Sequence, residues 1–423
     1  MKNILFLWDY IVLFDTIKKC SEDKSIIIVD SAKKKYPLHD YLKWFDYVYE
    51  VNDIFDREQM NKLVDEIIQT HGSVDALISP YEALIEMAGF LRDQFEIHGM
   101  NGCVAKKVRD KELMKTEVQK AGIKTAKIKR INCIDDLINF IKNNNYPIIV
   151  KPVSGFTTIN TFKITNLEEC EIFIGDFLQS EQCSTENDQF VVESFVEGEE
   201  YCCDSIVKDG KTIFSTVTKY LHNCLDTVID SSKPGCGIMY PMNSEKDELI
   251  KQIKNLNQRV VTQLGIINSI CHMEVFVDQS GELFFSEIGA RLGGGAFLPL
   301  CLKNSYGVDF YKAFVDLELG RYEHTDIVPR DIYSGVIMFP FKQGRIKKIS
   351  IEEDFKDLNG LVSIKIYKKV GDTCRLNAKS SVDATGIAVM EDSSFSGVKE
   401  RLLQIYNCFE LEVCDVESIE GGE

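Results

Sequence analysis

A strand–turn–strand segment followed by an arginine and a glycine run constrains this chain more than any other feature. Two runs of alternating apolar and polar residues, 272–277 and 282–289, are joined at Asp278-Gln-Ser-Gly281, a pattern typical of a β-hairpin. This hairpin would bring Glu274 and Glu287 close together on adjacent strands, where two carboxylates repel each other. A hard cation such as Mg²⁺ relieves that repulsion, so the segment predicts a metal site.

An anion site is predicted directly after the second strand. The guanidinium of Arg291 and the backbone N–H groups of 293–295 suit a phosphate or a carboxylate. Together with the two acids they indicate metal-bridged phosphate chemistry. His272 alternates onto the same face as Glu274, and because Mg²⁺ prefers oxygen we interpret this histidine as a structural or supporting residue.

Composition limits the class of partner. The chain has 423 residues, enough for two to four lobes, and its 44% apolar and 27% charged content is that of a globular protein. A formal charge of −17 argues against nucleic acid as a partner, since binding a polyanion needs a basic surface. It leaves room for one small anionic nucleotide held by a few lysines and Mg²⁺.

Cysteine usage and hydropathy indicate a cytoplasmic protein. The 14 cysteines are scattered without a C-x-x-C pair, and we expect reduced, mostly buried thiols. The apolar N-terminal stretch is interrupted by Asp9 and Asp15 and lacks a small-residue cleavage site, which favours a strand and a helix over a signal peptide. No stretch approaches the ~20 apolar residues of a membrane span, so no membrane partner is expected.

The first hundred residues alternate strands and helices. This order predicts a parallel sheet covered by helices on both faces. No G-x-G-x-x-G follows the first strand, so an NAD site is not expected. The predicted strands are Asn3–Trp8, Ser25–Val29, Asp46–Val51 and Ala76–Ile78, and the predicted helices are Asp56–Thr70 and Tyr81–Phe95.

The rest of the chain is a mixture of helices and strands that becomes strand-rich after Gln189. Asp110 is a good helix N-cap and Gly122 a helix stop. Predicted strands are Ala126–Ile131, Pro147–Val150, Phe162–Ile164, Val191–Val196, Glu199–Val207 and Thr212–Tyr220. Predicted helices are Asp135–Lys142, Leu167–Leu178, Glu245–Leu264 and one near Ser396–Tyr406, and predicted loops are Gln179–Asp188 and Asp230–Gly237.

Three further motifs accompany the acidic hairpin. One is a buried strand, Tyr146-Pro-Ile-Ile-Val-Lys151, that leads into the loop Ser154-Gly-Phe-Thr-Thr158; the others are Glu193-Ser-Phe-Val-Glu-Gly-Glu-Glu200 and Arg109-Asp-Lys111. In this order and with these gaps the motifs resemble the ATP-grasp superfamily. They are most similar to its carboxylate–amine ligases that act on amino acids, whose acidic hairpin also ends in a Glu-Ile-Gly-Ala-Arg type of sequence.

The resemblance implies the fold class and the domain organisation. The class would be α/β with α+β character, an ATP-grasp fold preceded by a Rossmann-like domain. The implied segments are an N-terminal pre-ATP-grasp domain at 1–103, a linker helix at 104–122, a lid subdomain at 123–190, a central catalytic lobe at 191–332 and a C-terminal α+β subdomain at 333–423.

The resemblance also implies roles for single residues. Phosphate-binding residues would be Lys111, Lys151, Thr157 and Thr158. The adenine and ribose would contact Glu193, the backbone of Phe195 and Val196, and Glu200. Mg²⁺ or Mn²⁺ would bind Glu274 and Glu287, catalysis would depend on Arg291, Lys151 and Glu287, and the substrate would lie near Arg291, Gly294, Gly295 and His272.

The residues alone leave several interpretations open. Glu193 and Glu200 could be solvent-facing strand residues, and Arg291 could simply pair with Glu274 or Glu287. Gly289 stands where many ATP-grasp enzymes have an asparagine that binds metal, which favours the amino-acid ligase branch and leaves the number of metal ions open.

The expected activity is ATP-dependent ligation of a carboxylate and an amine, both small molecules and expected to be amino acids, through an acyl phosphate. One alternative keeps the fold but uses a carrier-bound or non-amino-acid carboxylate. Another is a nucleotide-binding scaffold without turnover. Many relatives are dimers, so a homodimer is consistent with the resemblance.

Overall fold

The computed structural model describes residues 2–7, 23–34, 36–175, 189–241, 244, 247–293, 297–323, 330–374, 380 and 383–414. The predicted loop Gln179–Asp188 and two predicted substrate residues, Gly294 and Gly295, lie outside these ranges. So does Trp8, the last residue of the first predicted strand.

The N-terminal part of the chain contains the parallel sheet that the alternating pattern predicts. Its strands are β1 (Asn3–Leu7), β2 (Lys24–Asp30), β3 (Tyr47–Val51) and β4 (Ala76–Ile78), in the order β3-β2-β1-β4. The accompanying helices are α1 (Leu38–Tyr41), α2 (Arg57–His71), α3 (Ile85–Phe95), which follows a 3₁₀ turn at Glu82–Leu84, and α4 (Gly102–Lys107).

Burial on both faces holds this sheet in place. Met60, Val64 and Ile67 recur at helical spacing on α2 and are fully buried against one face. The other face packs against Phe310 and Phe314 from a helix much later in the chain. The sheet is therefore fixed to the central part of the protein, and the carboxyl end of β4 points into the site described below.

A second, four-stranded antiparallel sheet follows. Its strands are β5 (Ile128–Ile131), β6 (Ile148–Pro152), β7 (Phe162–Ile164) and β8 (Phe190–Ser194), in the order β5-β8-β6-β7. Helix α5 (Lys111–Gln119) precedes it, and α6 (Ile134–Asn144) and α7 (Leu167–Phe173) accompany it. The sheet and its two accompanying helices share a small core of their own.

The largest sheet has eight antiparallel strands. They are β9 (Glu199–Lys208), β10 (Lys211–Tyr220), β11 (Cys236–Met239), β12 (Ser269–Val277), β13 (Leu283–Gly289), β14 (Tyr333–Met338), β16 (Leu361–Ile366) and β18 (Gly386–Asp392), in the order β13-β12-β9-β10-β11-β14-β18-β16. Its helices are α8 (Cys224–Ile229), α9 (Glu248–Leu264), α10 (Phe297–Tyr306), α11 (Phe310–Glu318) and α12 (Phe395–Cys408). A small sheet of β15 (Gly344–Ile349), β17 (Thr373–Cys374) and β19 (Leu411–Cys414) completes the fold.

The structure differs from the sequence predictions in a few places. The prediction of a loop over Asp230–Gly237 is wrong for its last two residues. Strand β11 begins at Cys236 and pairs with β10 and β14. Glycines in this stretch suggested a turn, but pairing on both sides fixes an extended backbone. The predicted division of the chain at 332 stays a prediction, although the eight-stranded sheet continues across it.

Two expectations about composition can be compared with the structure. Every cysteine that the structure describes is a free thiol, and Cys202 and Cys203 lie next to each other on β9. In the described ranges, no helix has the length and apolarity needed to span a membrane.

Helix α9 supports the strands that carry the acidic hairpin, and one of its side chains gives a test of the fold. Ile253 is fully buried in the core shared with β9 and β12. Ile253→Ala should lower the free energy of unfolding by about 2–5 kcal/mol, since it removes buried methyl groups and leaves a cavity. Urea denaturation checks this, with the neighbouring exposed variant Gln252→Ala as control; equal effects of the two changes would contradict the packing described.

Candidate active site

Two adjoining cavities lie on one face of the eight-stranded sheet. The large cavity, about 340 Å³, lies between β6 and β8 of the four-stranded sheet and the strands β9, β12 and β13. The small cavity, about 110 Å³, extends from β12 and β13 towards β11 and β14. Lys111, Cys224, Glu274 and Glu287 line both cavities, so a group bound in one meets a group bound in the other at these residues.

The predicted pairing of the two hairpin acids is confirmed. Glu274 on β12 lies directly opposite Glu287 on β13. The Glu287 Oε2 atom lies 3.2 Å from Lys111 Nζ and 3.8 Å from Lys151 Nζ. Burial by itself would raise the pKa of Glu287, but the neighbouring lysines lower it to about 2. Glu287 is therefore ionised at neutral pH.

A third carboxylate lies beside the pair. One ligand atom each of Glu200, Cys224 and Glu274 lies within 4.8 Å of the others. Burial, together with the charge of Glu274, raises the pKa of Glu200 to about 8. Carboxylate oxygens are the donors that Mg²⁺ prefers, and a divalent cation would relieve this repulsion. These oxygens therefore fit a magnesium ion, whereas burial raises the pKa of the Cys224 thiol and keeps it protonated.

The structure brings the predicted lysines into the large cavity and adds one that the sequence analysis missed. Lys151 Nζ lies 3.2 Å from Glu193 Oε2, and Lys115 Nζ lies 2.7 Å from Glu193 Oε1. Lys115 follows Lys111 by one helical turn of α5, a spacing that could have indicated a shared face. Glu193 is 5% exposed and Glu200 4% exposed, so the alternative of solvent-facing strand residues is wrong.

Arg291 has a partner that the sequence did not indicate. Instead of Glu274 or Glu287, which the alternative interpretation named, it pairs with Glu82, whose Oε2 lies 2.6 Å from Arg291 Nε. Arg109 Nη1 donates to the other Glu82 oxygen at 2.6 Å. Burial would raise the pKa of Glu82, but the two arginines lower it. Glu82 follows the carboxyl end of β4, the edge of a parallel sheet where ligands bind, and that position was the available signal.

His272 lies between two carboxylates, those of Asp204 and Glu274. Its Nδ1 lies 2.8 Å from Asp204 Oδ1, and its Nε2 lies 3.6 Å from Glu274 Oε1. Burial would lower its pKa, but the two acids raise it to about 10. A Cβ at Gly293 would lie 2.5 Å from His272 Nδ1, so this position requires glycine and the backbone closes over the imidazole.

The loop after β6 contributes residues to the lining of both cavities. Thr157 lines the small cavity and Thr158 the large one, and both have positive φ, 54° and 60°. Lys111 Nζ donates to the carbonyl of Gly155 at 2.6 Å, and Ser380 Oγ donates to that of Thr157 at 3.0 Å. In this conformation the Thr157 hydroxyl donates to the carbonyl of Phe156.

The far end of the large cavity is apolar. Ile149, Phe195, Val196, Phe276 and Phe285 line it. A Cβ at Gly198 would lie 2.5 Å from the carbonyl oxygen of Val277, so glycine allows the turn before β9 to approach β12 closely. The large cavity is thus lined by apolar side chains as well as by strongly charged ones.

The raised pKa of Glu200 gives a prediction for the metal-free protein. The folded protein retains a proton on Glu200 up to pH about 8, whereas the unfolded chain releases it above ~4.3. The free energy of unfolding should therefore fall as pH rises from about 5 to 8.

Glu200→Gln should reduce this pH dependence. Urea titrations at pH 5.5 and 7.5 in the presence of a metal chelator would measure it, and the exposed Glu58→Gln serves as control. An unchanged dependence in the Glu200 variant would show that this carboxyl ionises normally.

Comparisons with known proteins agree with this geometry. Residues 144–299 match the family model described as an ATP-grasp domain. An L-arginine-specific L-amino acid ligase of Bacillus subtilis is 27% identical over 343 residues, 81% of each chain.

Solved structures show the same fold. An L-amino acid ligase from Bacillus licheniformis has a TM-score of 0.79 at 17% identity, covering 98% of this chain and 99% of that one. The biotin carboxylase domain of Hydrogenobacter thermophilus 2-oxoglutarate carboxylase, solved with MgADP, ADP and bicarbonate, has a TM-score of 0.69 at 16% identity, covering 97% and 90%. With its paired acids, its lysines and the shared junction between two cavities, the chain carries an ATP-grasp domain at residues 144–299 and is similar over most of its length to an L-amino acid ligase.

Proposed function

We propose that the protein uses ATP to join the carboxylate of one amino acid to the amine of another, releasing ADP and phosphate. The observation that carries this proposal is the junction of the two cavities. Lys111, Glu274 and Glu287 line both, so the terminal phosphate of a nucleotide in the large cavity would meet a carboxylate in the small cavity.

The lining of the large cavity supports a nucleotide there. Its apolar end, with Phe195 and Val196, would pack against the adenine ring, and the buried carboxylate of Glu193 would accept from the ring's amino group. Glu200, on β9 of the other sheet, also lines the cavity and would accept from the ribose hydroxyls. At the charged end Lys111 and Lys151 would neutralise the phosphates.

Mg²⁺ or Mn²⁺ would be held by Glu274 and Glu287, where its charge would offset that of the phosphates. Support comes from the register that sets Glu274 opposite Glu287, and from the closeness of a third buried carboxylate, Glu200, to Glu274. The biotin carboxylase neighbour solved with MgADP has the same fold.

The reaction would proceed in two transfers. A carboxylate oxygen attacks the γ-phosphorus, the bond from that phosphorus to the β,γ-bridging oxygen breaks, and ADP leaves. The amine then attacks the carbonyl carbon of the acyl phosphate, the carbon–oxygen bond to the phosphoryl group breaks, and phosphate leaves with the former carboxylate oxygen while the amine loses a proton. Lys151 and Arg291 would stabilise the charge of the transferring group, and Glu82 would hold Arg291 in place.

Water must be kept from the acyl phosphate, which it would hydrolyse. The loop that contains Thr157 and Thr158 lines both cavities, and its carbonyl groups accept hydrogen bonds from Lys111 and Ser380. We infer that this loop and the sheet of β5 to β8 act as a lid that closes over the nucleotide.

Amino acids are the proposed substrates because of both the relatives and the small cavity. The B. subtilis relative is named for ligating L-amino acids, and the small cavity has a volume suited to groups of that size. The lining of the small cavity also includes Tyr220, Gly237, Val336 and Met338. These residues leave room for an amino-acid side chain and offer it apolar contacts.

The proposal is tested by phosphate release from Mg-ATP with the twenty amino acids, singly and in pairs, combined with mass spectrometry of the products. The expected result is release that requires particular amino acids and a product whose mass is their sum minus water. ATP binding without release for any pair would favour a carrier-bound substrate or a scaffold without turnover.

Glu287→Gln should abolish ATP turnover, a loss of at least about 10³-fold, because it removes one of the two metal carboxylates and the partner of Lys111. Phosphate release at saturating Mg-ATP measures the loss, and circular dichroism checks the fold. Glu282→Gln, at the partly exposed turn of the same hairpin, is the matched control and should retain turnover. Full activity in the Glu287 variant would remove this residue from the metal site.

A further inference from the structure

Five side chains of alternating charge form a continuous row along the large cavity. Lys115 Nζ lies 2.7 Å from Glu193 and Lys151 Nζ lies 3.2 Å from the same carboxylate. Lys151 Nζ also lies 3.8 Å from Glu287, which lies 3.2 Å from Lys111 Nζ. The row therefore leads from the apolar end of the cavity to its junction with the small cavity.

The two lysines beside Glu193 differ in their other partners. Lys151 forms ion pairs with both Glu193 and Glu287. Lys115 is 1% exposed, and among the described residues its one ion pair is with Glu193. An unpaired ammonium so deeply buried would be unstable, so Lys115 depends on Glu193 as much as Glu193 depends on Lys115.

Nucleotide binding would affect Lys151 and Lys115 differently. The phosphates carry several negative charges and would attract Lys151 away from Glu193. A buried carboxylate without a nearby cation loses its preference for the ionised form and takes up a proton. Lys115 lies on the opposite side of Glu193 and stays in contact with it.

We propose that Lys115 is a positioning residue, which keeps Glu193 ionised and aimed at the amino group of adenine and so sets the selectivity for ATP over ITP. This inference rests on the proposed function of the large cavity as a nucleotide site. Inosine has a carbonyl oxygen where adenosine has the amino group, and an ionised Glu193 repels that oxygen. A protonated Glu193 could donate to it, so losing Lys115 should make the site accept ITP.

The test compares ATP with ITP in steady-state phosphate release, using the amino acids that support turnover. Lys115→Met should reduce the ratio of kcat/KM for ATP to that for ITP by about 10- to 100-fold, the loss expected for a hydrogen bond to a charged group. KM for ATP should rise more than kcat falls, because Lys115 does not reach the transferring phosphoryl group.

Two further variants of helix α5 and its end serve as matched controls. Lys115→Arg keeps the charge and should restore most of the selectivity for ATP. Lys120→Met removes a lysine that is 59% exposed and pairs with Glu117, and it should leave the ratio unchanged. A structural role alone would lower thermal stability without changing the ATP/ITP ratio, so the same ratio in Lys115→Met and wild type would overturn the inference.

A double variant keeps the test usable if Lys115→Met does not fold. Removing both charges, in Glu193→Gln with Lys115→Met, leaves no buried unpaired ion. This double variant and Glu193→Gln alone should have equal ATP/ITP ratios, because Lys115 acts through Glu193. Different ratios would overturn the inference, and a wild-type protein that does not turn over ATP would refute the proposed function instead.

Discussion

The register of the β12–β13 hairpin is the constraint on which the site depends. It sets Glu274 directly opposite Glu287, with both side chains on the face of the sheet that lines the two cavities. Because side chains alternate along a strand, a slip of one residue would turn one acid to the opposite face. Pairing of β12 with β9 on its other side fixes this register, since nine consecutive residue pairs are matched there.

Like charges held so closely need compensation, and the surrounding structure provides it from separate elements. Lys111 comes from α5 and Lys151 from β6, and each lies within 4 Å of Glu287. Arg291 is held by Glu82, which lies in the 3₁₀ turn after the strand β4 of the N-terminal parallel sheet. Three parts of the chain must therefore be packed together before the charges balance, and this links the folding of the parallel sheet to the chemistry of the hairpin.

Most helices and strands were predicted well, because the residue patterns that indicate them lie within a few residues of each other. Alternation and turn residues located β12 and β13, and helical spacing located α2. The pairing of Glu274 with Glu287 followed from a short hairpin. By contrast, β11 was missed because its extended backbone is imposed by its neighbours β10 and β14, and these lie far away in sequence.

Site residues that lie in sequence motifs were predicted, whereas those whose role depends on contacts between distant parts of the chain were missed. Lys151, Glu193 and Glu200 lie in spaced motifs, and the structure places all three in the large cavity. Glu82 was missed because its partners Arg109 and Arg291 are distant in sequence, and Lys115 because a single helical lysine is normally solvated. Neither feature is visible until the helices and sheets are packed.

The most direct measurement follows an oxygen atom through the reaction. An amino acid labelled with ¹⁸O in both carboxylate oxygens is incubated with Mg-ATP and the amine partner, and the released phosphate and nucleotide are analysed by mass spectrometry. Transfer of the γ-phosphoryl group to the carboxylate predicts one ¹⁸O atom in each inorganic phosphate and none in the nucleotide. Label in AMP, or phosphate without label while the amide product forms, would contradict the phosphoryl transfer proposed at the junction of Lys111, Glu274 and Glu287.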